Sequence, residues 1–282
     1  MALIARRTGR LDKRAFVSPI LAFPLGALSA TVFAPLHFFF AGIVAFGGLL
    51  YLLDRAGRTG ASFLVGWSFG FGSFLVGLHW ITEAFEVYPR FAPLAWPSLI
   101  ALSASLALFP AFATTLAHLV SGRGRHPLSA AALAACWSIG EWLRSTVPTG
   151  FPWNISGYAW GFSDAALQSA SVFGIYGLGL AALLVWTLPA MALRDRRASP
   201  VLVAATIGVA IWGWGESRLS RAEPNDASPV RVRVVQPNIA QDIKWSVAER
   251  DRILAKLIDL SRAASPSGSP PTHIVWPESA VP

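Results

Sequence analysis

The chain has 282 residues, of which 54% are hydrophobic and only 13% are charged, and it contains 12 Trp. Ordinary soluble domains carry roughly 25% charged residues, so this composition excludes a typical soluble protein and indicates an integral membrane protein. The net charge is +8, but the basic residues stand in short clusters between apolar blocks. That pattern is typical of membrane topology signals and argues against a nucleic-acid partner.

Long uncharged blocks dominate the chain as far as Gly215. The block from Ala15 to Leu53 contains no charged residue. Because one span needs about 20 residues, this block predicts two spans that fold back at Ala34 and Pro35. Five more candidates bring the predicted total to seven: Ala61 to Thr82, Phe91 to Val120, Pro127 to Val147, Ala165 to Leu193 and Ser199 to Gly215.

The basic clusters predict the orientation of these spans, because positively charged connectors stay in the cytoplasm. The clusters occupy the N-terminal segment and every second connector after it. They are the segment up to Arg14, Asp54 to Arg58, Arg123 to Arg125, and Arg194 to Arg197. We therefore expect a cytoplasmic N-terminus and, after seven spans, a C-terminal segment on the outer, periplasmic side of the membrane.

A cleaved signal peptide is an alternative for the first span. A basic start, an apolar stretch and the small residues Ser29 and Ala30 would suit cleavage, but Leu28 fits the small-residue pattern poorly. Cleavage would leave the C-terminal segment outside.

A change in composition after the last span predicts three regions: a transmembrane domain over 1–215, a polar linker over 216–229, and a water-soluble α/β segment over 230–282. Within the segment, Val230 to Val235 alternates in polarity and predicts a strand. A second strand opens at Thr272, and its apolar residues are followed by Pro277 and the acidic Glu278.

A helix is predicted between these two strands. Ser246 and Glu249 match a capping box, and apolar residues recur behind it at helical spacing, at Ile253, Leu254, Leu257 and Ile258. The segment is thus a β-α-β unit whose strands are expected to be parallel neighbours.

Three stretches carry a resemblance to a known family. They are TGFPWNISGY at 149–158, VVQPNIAQDIKW at 234–245 and VWPESAVP at 275–282. In their order and in their place in the topology, they resemble the bacterial apolipoprotein N-acyltransferases. The resemblance implies an α-helical polytopic membrane domain in the inner membrane, followed by a nitrilase-type domain, of which 230–282 is an incomplete first part.

The resemblance also implies a reaction. A Glu-Lys-Cys triad takes a fatty acyl chain from a membrane phospholipid as a thioester, and passes it to the N-terminal diacylglyceryl-cysteine of an apolipoprotein. A thiol with a pKa near 8.5 needs a neighbouring base to become a nucleophile, and Glu278 matches that base. We expect no metal, since His79 and His118 lie apart from other candidate ligands. We also expect no cofactor and a monomeric protein.

The remaining members of the triad have no counterpart in the chain. Lys244 and Lys256 precede Glu278 in segments that do not match the family's lysine, and the single cysteine, Cys136, lies in the fifth predicted span. We interpret Cys136 as an inert packing thiol, since buried free cysteines usually behave as small hydrophobic residues. The 282-residue polypeptide alone is therefore expected to be catalytically inactive.

Two tryptophans are candidate substrate-binding residues. Trp245 corresponds to a family tryptophan tied to activity, and a packing role at the end of a strand is the alternative. Trp153 either belongs to a lipid-facing arm with Pro152 or is an aromatic anchor at the membrane interface.

Two further patterns in the spans have structural interpretations. Glu141 and Arg144 are three residues apart and predict a structural pair at the outer end of the fifth helix. Gly66 and Gly70 form a G-x-x-x-G pattern that indicates close helix packing.

Two other functions remain open from the residues alone. One is a non-enzymatic transporter or scaffold, although no span carries a central charge and no inverted repeat is evident. The other is a membrane-tethered amidase of nitrilase type, which would share Glu278 and differ in its substrate.

Overall fold

The structure is a computed structural model that describes residues 13–86, 89–122, 126–147, 150–221, 230–240, 243–265, 268–278 and 280, with side chains from Ser18 onward. These residues form two compact units. The first, here called the membrane unit, contains the described residues up to Glu86 together with Arg90–Arg221. The second, here called the α/β unit, contains the described residues after 229.

The helix is the only regular secondary structure in the described part of the membrane unit. Apolar runs form its long helices. Most of the blocks predicted as spans correspond to one long helix, whereas the block from Phe91 to Val120 contains two. The helices are α1 Lys13–Ser29, α2 Ala41–Asp54, α3 Thr59–Gly77, α4 Glu83–Glu86, α5 Ala95–Leu106, α6 Leu108–Ser121, α7 Ser129–Thr146, α8 Asp164–Gln168, α9 Ala170–Asp195 and α10 Ser199–Ser220.

Three stretches are long and apolar enough to cross a membrane: Thr59–Gly77, Pro89–Ser121 and Ala170–Asp195. Ser18–Val32 and Ala41–Asp54 are apolar but shorter. The predicted fold-back lies between these two shorter helices, where the Ala34–Pro35 peptide bond is cis. A membrane protein is therefore supported by the helices themselves, and the full set of seven spans stays a prediction.

Close packing of α3 against α6 follows from the G-x-x-x-G pattern, as predicted. A Cβ at Gly66 would overlap the Thr114 hydroxyl and would lie 2.7 Å from the carbonyl oxygen of Pro110. At Gly70 a Cβ would lie 2.7 Å from the Pro110 ring. The Thr114 hydroxyl also donates to the carbonyl of Ser62 in α3 at 3.0 Å, which the short interhelical distance makes possible.

We expect Gly66→Ala to destabilise the membrane unit by about 1–3 kcal/mol, because the added methyl group must displace α6. Gly60→Ala is the matched control in the same helix, since a Cβ there meets nothing within 4 Å and Ala is the better helix former. Thermal unfolding in detergent measures both. Equal melting temperatures for the two variants would contradict the close packing inferred at Gly66.

Aromatic rings fill the centre of the membrane unit. Trp186 of α9 stacks on Phe46 of α2, with ring centroids 5.1 Å apart and an interplanar angle of 16°. Phe46 in turn meets Trp137 of α7 edge to face at 5.0 Å. Aromatic pairs at these separations add roughly 0.5–1.5 kcal/mol beyond the area they bury, so this cluster joins three helices that are distant in sequence.

Arg194 links three chain segments at one end of the membrane unit. Its guanidinium donates to Asp54 at 3.1 Å, to the Ser129 hydroxyl at 2.9 Å and to the carbonyl of His126 at 3.2 Å. Asp54 ends α2, Ser129 begins α7, and Arg194 lies in the last turn of α9. Connectors that the charge pattern predicts on one side of the membrane are therefore in direct contact.

The α/β unit consists of β1 Val232–Val234, α11 Arg250–Arg262 and β2 His273–Val275. The strands are parallel neighbours, as predicted, and Arg233 is in register with Ile274. Val235, Ile253 and Leu257 form the buried core between the sheet and α11.

The alternation in β1 places Arg233 towards α11 and leaves valines exposed. The Arg233 guanidinium donates to the carbonyls of Ser261 and Ala263, at 2.7 and 2.6 Å, and so binds the C-terminal end of α11. Val232 and Val234 are 54% and 75% exposed.

The predicted capping box is wrong. Val247–Glu249 forms a 3-10 turn, and the Ser246 side chain makes no capping hydrogen bond. The Glu249 amide, which the Ser246 hydroxyl would have bound, donates to the carbonyl of Ser246 at 3.1 Å. Helix α11 consequently begins at Arg250, three residues later than the capping box predicts.

Candidate functional site

Glu278 lies in a turn three residues after the end of β2, and its side chain is exposed. The ammonium group of Lys244 donates to the backbone carbonyl of Glu278 at 3.4 Å. Lys244 also lies over the ring of Trp245, 5.6 Å from its centroid, and Trp245 is 47% exposed. A carboxylate, a cation and an accessible indole ring thus occupy one edge of the α/β unit.

Parallel pairing explains why these residues meet. Lys244 and Trp245 follow β1, and Glu278 follows β2, so all three leave the carboxyl ends of neighbouring parallel strands, where sites in α/β sheets form. The proximity of Lys244 was missed from the sequence. The available signal was the prediction that the two strands are parallel neighbours, because parallel strands place the loops that follow them at the same edge of the sheet.

Trp153, the third predicted site residue, belongs to the membrane unit. It lies in the loop after α7, it is 47% exposed, and its ring centroid is 5.5 Å from that of Phe151 and 6.2 Å from that of Trp80. Trp80 is also exposed. These three rings form an aromatic patch at the chain position where a span is predicted to leave the membrane.

A buried polar network holds the loop that carries Trp153. Glu141 of α7 is only 6% exposed. Its Oε1 atom accepts from the Trp137 indole at 3.1 Å, from the Ser156 amide at 3.0 Å and from the Ser156 hydroxyl at 2.7 Å. The carboxylate thereby binds the far end of the loop to the helix that precedes it.

Arg144 binds the middle of the same loop. It is 2% exposed, and its guanidinium donates to the carbonyls of Phe151 and Trp153, the latter at 2.7 Å. The Phe151 amide returns a hydrogen bond to the carbonyl of Arg144 at 2.8 Å. The guanidinium also lies 5.1 Å from the ring centroid of Phe74 in α3.

The predicted structural pair of Glu141 and Arg144 is therefore wrong in its partners, although both residues lie near the end of α7, as expected. The two side chains form no direct ion pair, and neither reaches solvent. Each binds a different part of the loop instead, because the loop folds back over the end of α7 and supplies amides, a hydroxyl and carbonyls at closer range. Charges at helical spacing in a predicted span were the available signal, but they do not reveal these partners.

Cys136 lies in α7 and is 6% exposed, within the main hydrophobic core of the membrane unit. Its position matches the packing role expected from the sequence. The nucleophile that Glu278 would serve therefore has no candidate among the described residues of the α/β unit.

The chain is similar in sequence to one family of known proteins. The family model for the apolipoprotein N-acyltransferase N-terminal domain matches residues 25–188. The apolipoprotein N-acyltransferase of Brucella suis is 39% identical over 297 aligned residues, which cover 99% of this chain and 55% of that protein. The Brucella melitensis protein of the same name is 38% identical, with the same coverage of both chains.

A third relative extends the match to another genus. The apolipoprotein N-acyltransferase of Allorhizobium ampelinum is 38% identical over 93% of this chain and 52% of its own length. The chain thus spans about half the length of the curated relatives it matches. Since the family model covers more than half of the 282 residues, the chain belongs to the apolipoprotein N-acyltransferase family.

Proposed function

We propose that this chain forms the membrane portion and the start of the catalytic portion of an enzyme that transfers a fatty acyl chain from a membrane phospholipid to the N-terminal diacylglyceryl-cysteine of an apolipoprotein. The observation that carries the proposal is the match to relatives of that name over 99% of the chain. It favours acyl transfer over a transporter, a scaffold or an amidase.

Glu278 is the proposed general base. It follows a strand of the α/β unit, its side chain is exposed, and Lys244 and Trp245 lie beside it at the same edge. In the proposed mechanism a thiol loses its proton to Glu278 and attacks the ester of a phospholipid, which releases a lysophospholipid whose oxygen takes up that proton. The α-amino group of the apolipoprotein then attacks the thioester, forms the amide, gives up a proton to Glu278 and releases the free thiol. Trp245, an exposed indole near the carboxylate, is the proposed substrate contact there.

The proposed membrane arrangement has seven spans, a cytoplasmic N-terminus and an outer α/β segment in the bacterial inner membrane. Two contacts support alternating spans. Arg194 joins segments predicted to be cytoplasmic. The other contact joins α1 and α3 near their C-terminal ends, which are predicted to lie on the outer side: Ser29 donates to Ser73 at 2.9 Å. The regions 1–215, 216–229 and 230–282 remain the proposed domains, although α10 continues to Ser220.

Trp153 is proposed to contact lipid with Trp80 and Phe151. Aromatic side chains with one apolar face and one polar edge are favoured at the membrane interface, and the exposed patch of three rings suits either an anchor or an acyl chain in transit. A monomer remains the expected oligomeric state, and no cofactor enters the mechanism.

A chimera tests the proposed function. This chain replaces the aligned segment of the Brucella suis enzyme, which supplies the rest of the polypeptide, and the chimera is expressed in cells depleted of their own N-acyltransferase. We expect mass spectrometry of a lipoprotein N-terminal peptide to show a third acyl chain. A chimera that reaches the membrane at the level of the parent enzyme, yet leaves the lipoprotein diacylated, would refute the proposal.

A further inference from the structure

A small cavity lies in the membrane unit, inside the loop that Glu141 and Arg144 hold. Its volume is about 20 Å³. Its walls come from α1 and the residues just after it, from α2, α3, α6 and α7, and from the loop after α7. Its polar lining residues include Ser29, Ser73, Glu141, Arg144, Asn154 and Ser156. A polar cavity needs roughly 10–15 Å³ to hold one water molecule, so this one has room for a single molecule of that size.

Two buried polar atoms of the lining residues have no hydrogen-bond partner in the protein. One is Oε2 of Glu141, whose other oxygen accepts three hydrogen bonds. The second is Nδ2 of Asn154, whose amide packs against Gly77 of α3. An unpaired buried polar group costs about 1–3 kcal/mol, so both atoms favour a ligand that supplies their missing hydrogen bonds.

The two atoms have opposite requirements. The Glu141 oxygen accepts hydrogen bonds, and the Asn154 amide nitrogen donates them. A metal cation would suit the carboxylate but cannot accept a hydrogen bond from Asn154. An anion could accept that hydrogen bond but would meet the Glu141 carboxylate. A water molecule donates to one atom and accepts from the other, and the hydroxyls of Ser29 and Ser73 lie on the same cavity wall.

We propose that this cavity is a binding site for one ordered water molecule, which bridges Glu141 of α7 to Asn154 of the loop. Buried waters typically make about three hydrogen bonds to groups that the protein leaves unpaired. The bridge adds a third connection between α7 and the loop, beside those through Ser156 and Arg144. The proposal concerns the membrane unit alone and does not depend on the acyl-transfer function.

Hydroxyl-radical footprinting with short X-ray pulses tests the site in the purified 282-residue chain. Radicals generated from a bound water oxidise side chains beside it, even where bulk water has no access. Trp137 lines the cavity and is buried. Trp160 is the matched control, because it is also buried and does not line the cavity. Trp153, which is exposed, reports bulk solvent.

We expect Trp137 to be oxidised several-fold faster than Trp160. After rapid mixing into H₂¹⁸O, the Trp137 product should still carry ¹⁶O at times when the Trp153 product carries ¹⁸O, because a bound water exchanges more slowly than bulk solvent. Equal protection of Trp137 and Trp160 would overturn the proposal. Uptake of ¹⁸O at Trp137 as fast as at Trp153 would also overturn it, since it would indicate open solvent access instead of a bound water.

Discussion

Replacing Glu278 by Gln in the Brucella suis chimera is expected to lower acyl transfer by about 100-fold or more, because general bases typically contribute 10²–10⁴-fold to a rate. Glutamine keeps the size of the side chain and loses the basic oxygen. The carboxylate is exposed, so the variant is expected to fold and insert normally. The measurement is the rate at which a diacylated lipopeptide gains its third acyl chain.

Two control variants sharpen this test. Asp259→Asn removes an exposed carboxylate from α11 and is expected to leave the rate unchanged. Cys136→Ser replaces a thiol buried in the membrane unit and is expected to retain the activity as well. Acyl transfer by Glu278→Gln at the unmodified rate would remove this residue from the mechanism. A large loss of activity with Cys136→Ser would contradict the packing role that is given to Cys136 here.

Arg144→Met is expected to destabilise the membrane unit by about 3 kcal/mol. The methionine side chain fills much of the same volume but donates nothing, so the carbonyls of Phe151 and Trp153 lose their charged donor. Hydrogen bonds to charged groups contribute about 1.5–3 kcal/mol each, and buried acceptors without a partner carry a further cost. The loop that presents Trp153 should consequently bind α7 less tightly, and the membrane unit should open at a lower temperature.

Cys136 makes this stability change measurable. It is the only cysteine in the sequence and it is buried, so a fluorogenic maleimide reacts with it only when the membrane unit opens. We expect the labelling transition of Arg144→Met to fall by several degrees, and that of the exposed control Arg197→Met to stay where it is. Coincident transitions would mean that the buried guanidinium does not stabilise the loop.

A lysine at this position separates charge from geometry. Arg144→Lys keeps the positive charge, but a single ammonium group on a flexible stem cannot reproduce the fixed fork of a guanidinium. We expect its labelling transition to lie between those of the parent protein and Arg144→Met. A transition equal to that of the parent would show that charge alone stabilises the loop.

The helices and the β-α-β order were predictable because each depends on local patterns. An uncharged run such as Ala15 to Leu53 can only be buried or placed in lipid, and a helix satisfies its backbone in either place. Likewise, the parallel pairing of Val232–Val234 with His273–Val275 follows from the length of the connecting helix.

Local patterns failed where two arrangements compete at short range. Ser246 and Glu249 have the spacing of a capping box, but a 3-10 turn satisfied the same amide with a backbone carbonyl. Glu141 and Arg144 have the spacing of a helical ion pair, but the loop offers both side chains other hydrogen-bond partners. Spacing alone cannot decide between such partners, because the outcome depends on groups that another segment brings near.

By itself, then, the sequence determined the apolar blocks, the basic clusters in alternate connectors, and the presence of Glu278 shortly after a strand. Only the tertiary structure decided which groups these residues bind. Asn154 adopts a left-handed backbone conformation with φ of 55°, and the loop folds back so that Ser156, 15 residues after Glu141, reaches its carboxylate. Such contacts depend on the path of the whole loop, which no short stretch of residues encodes.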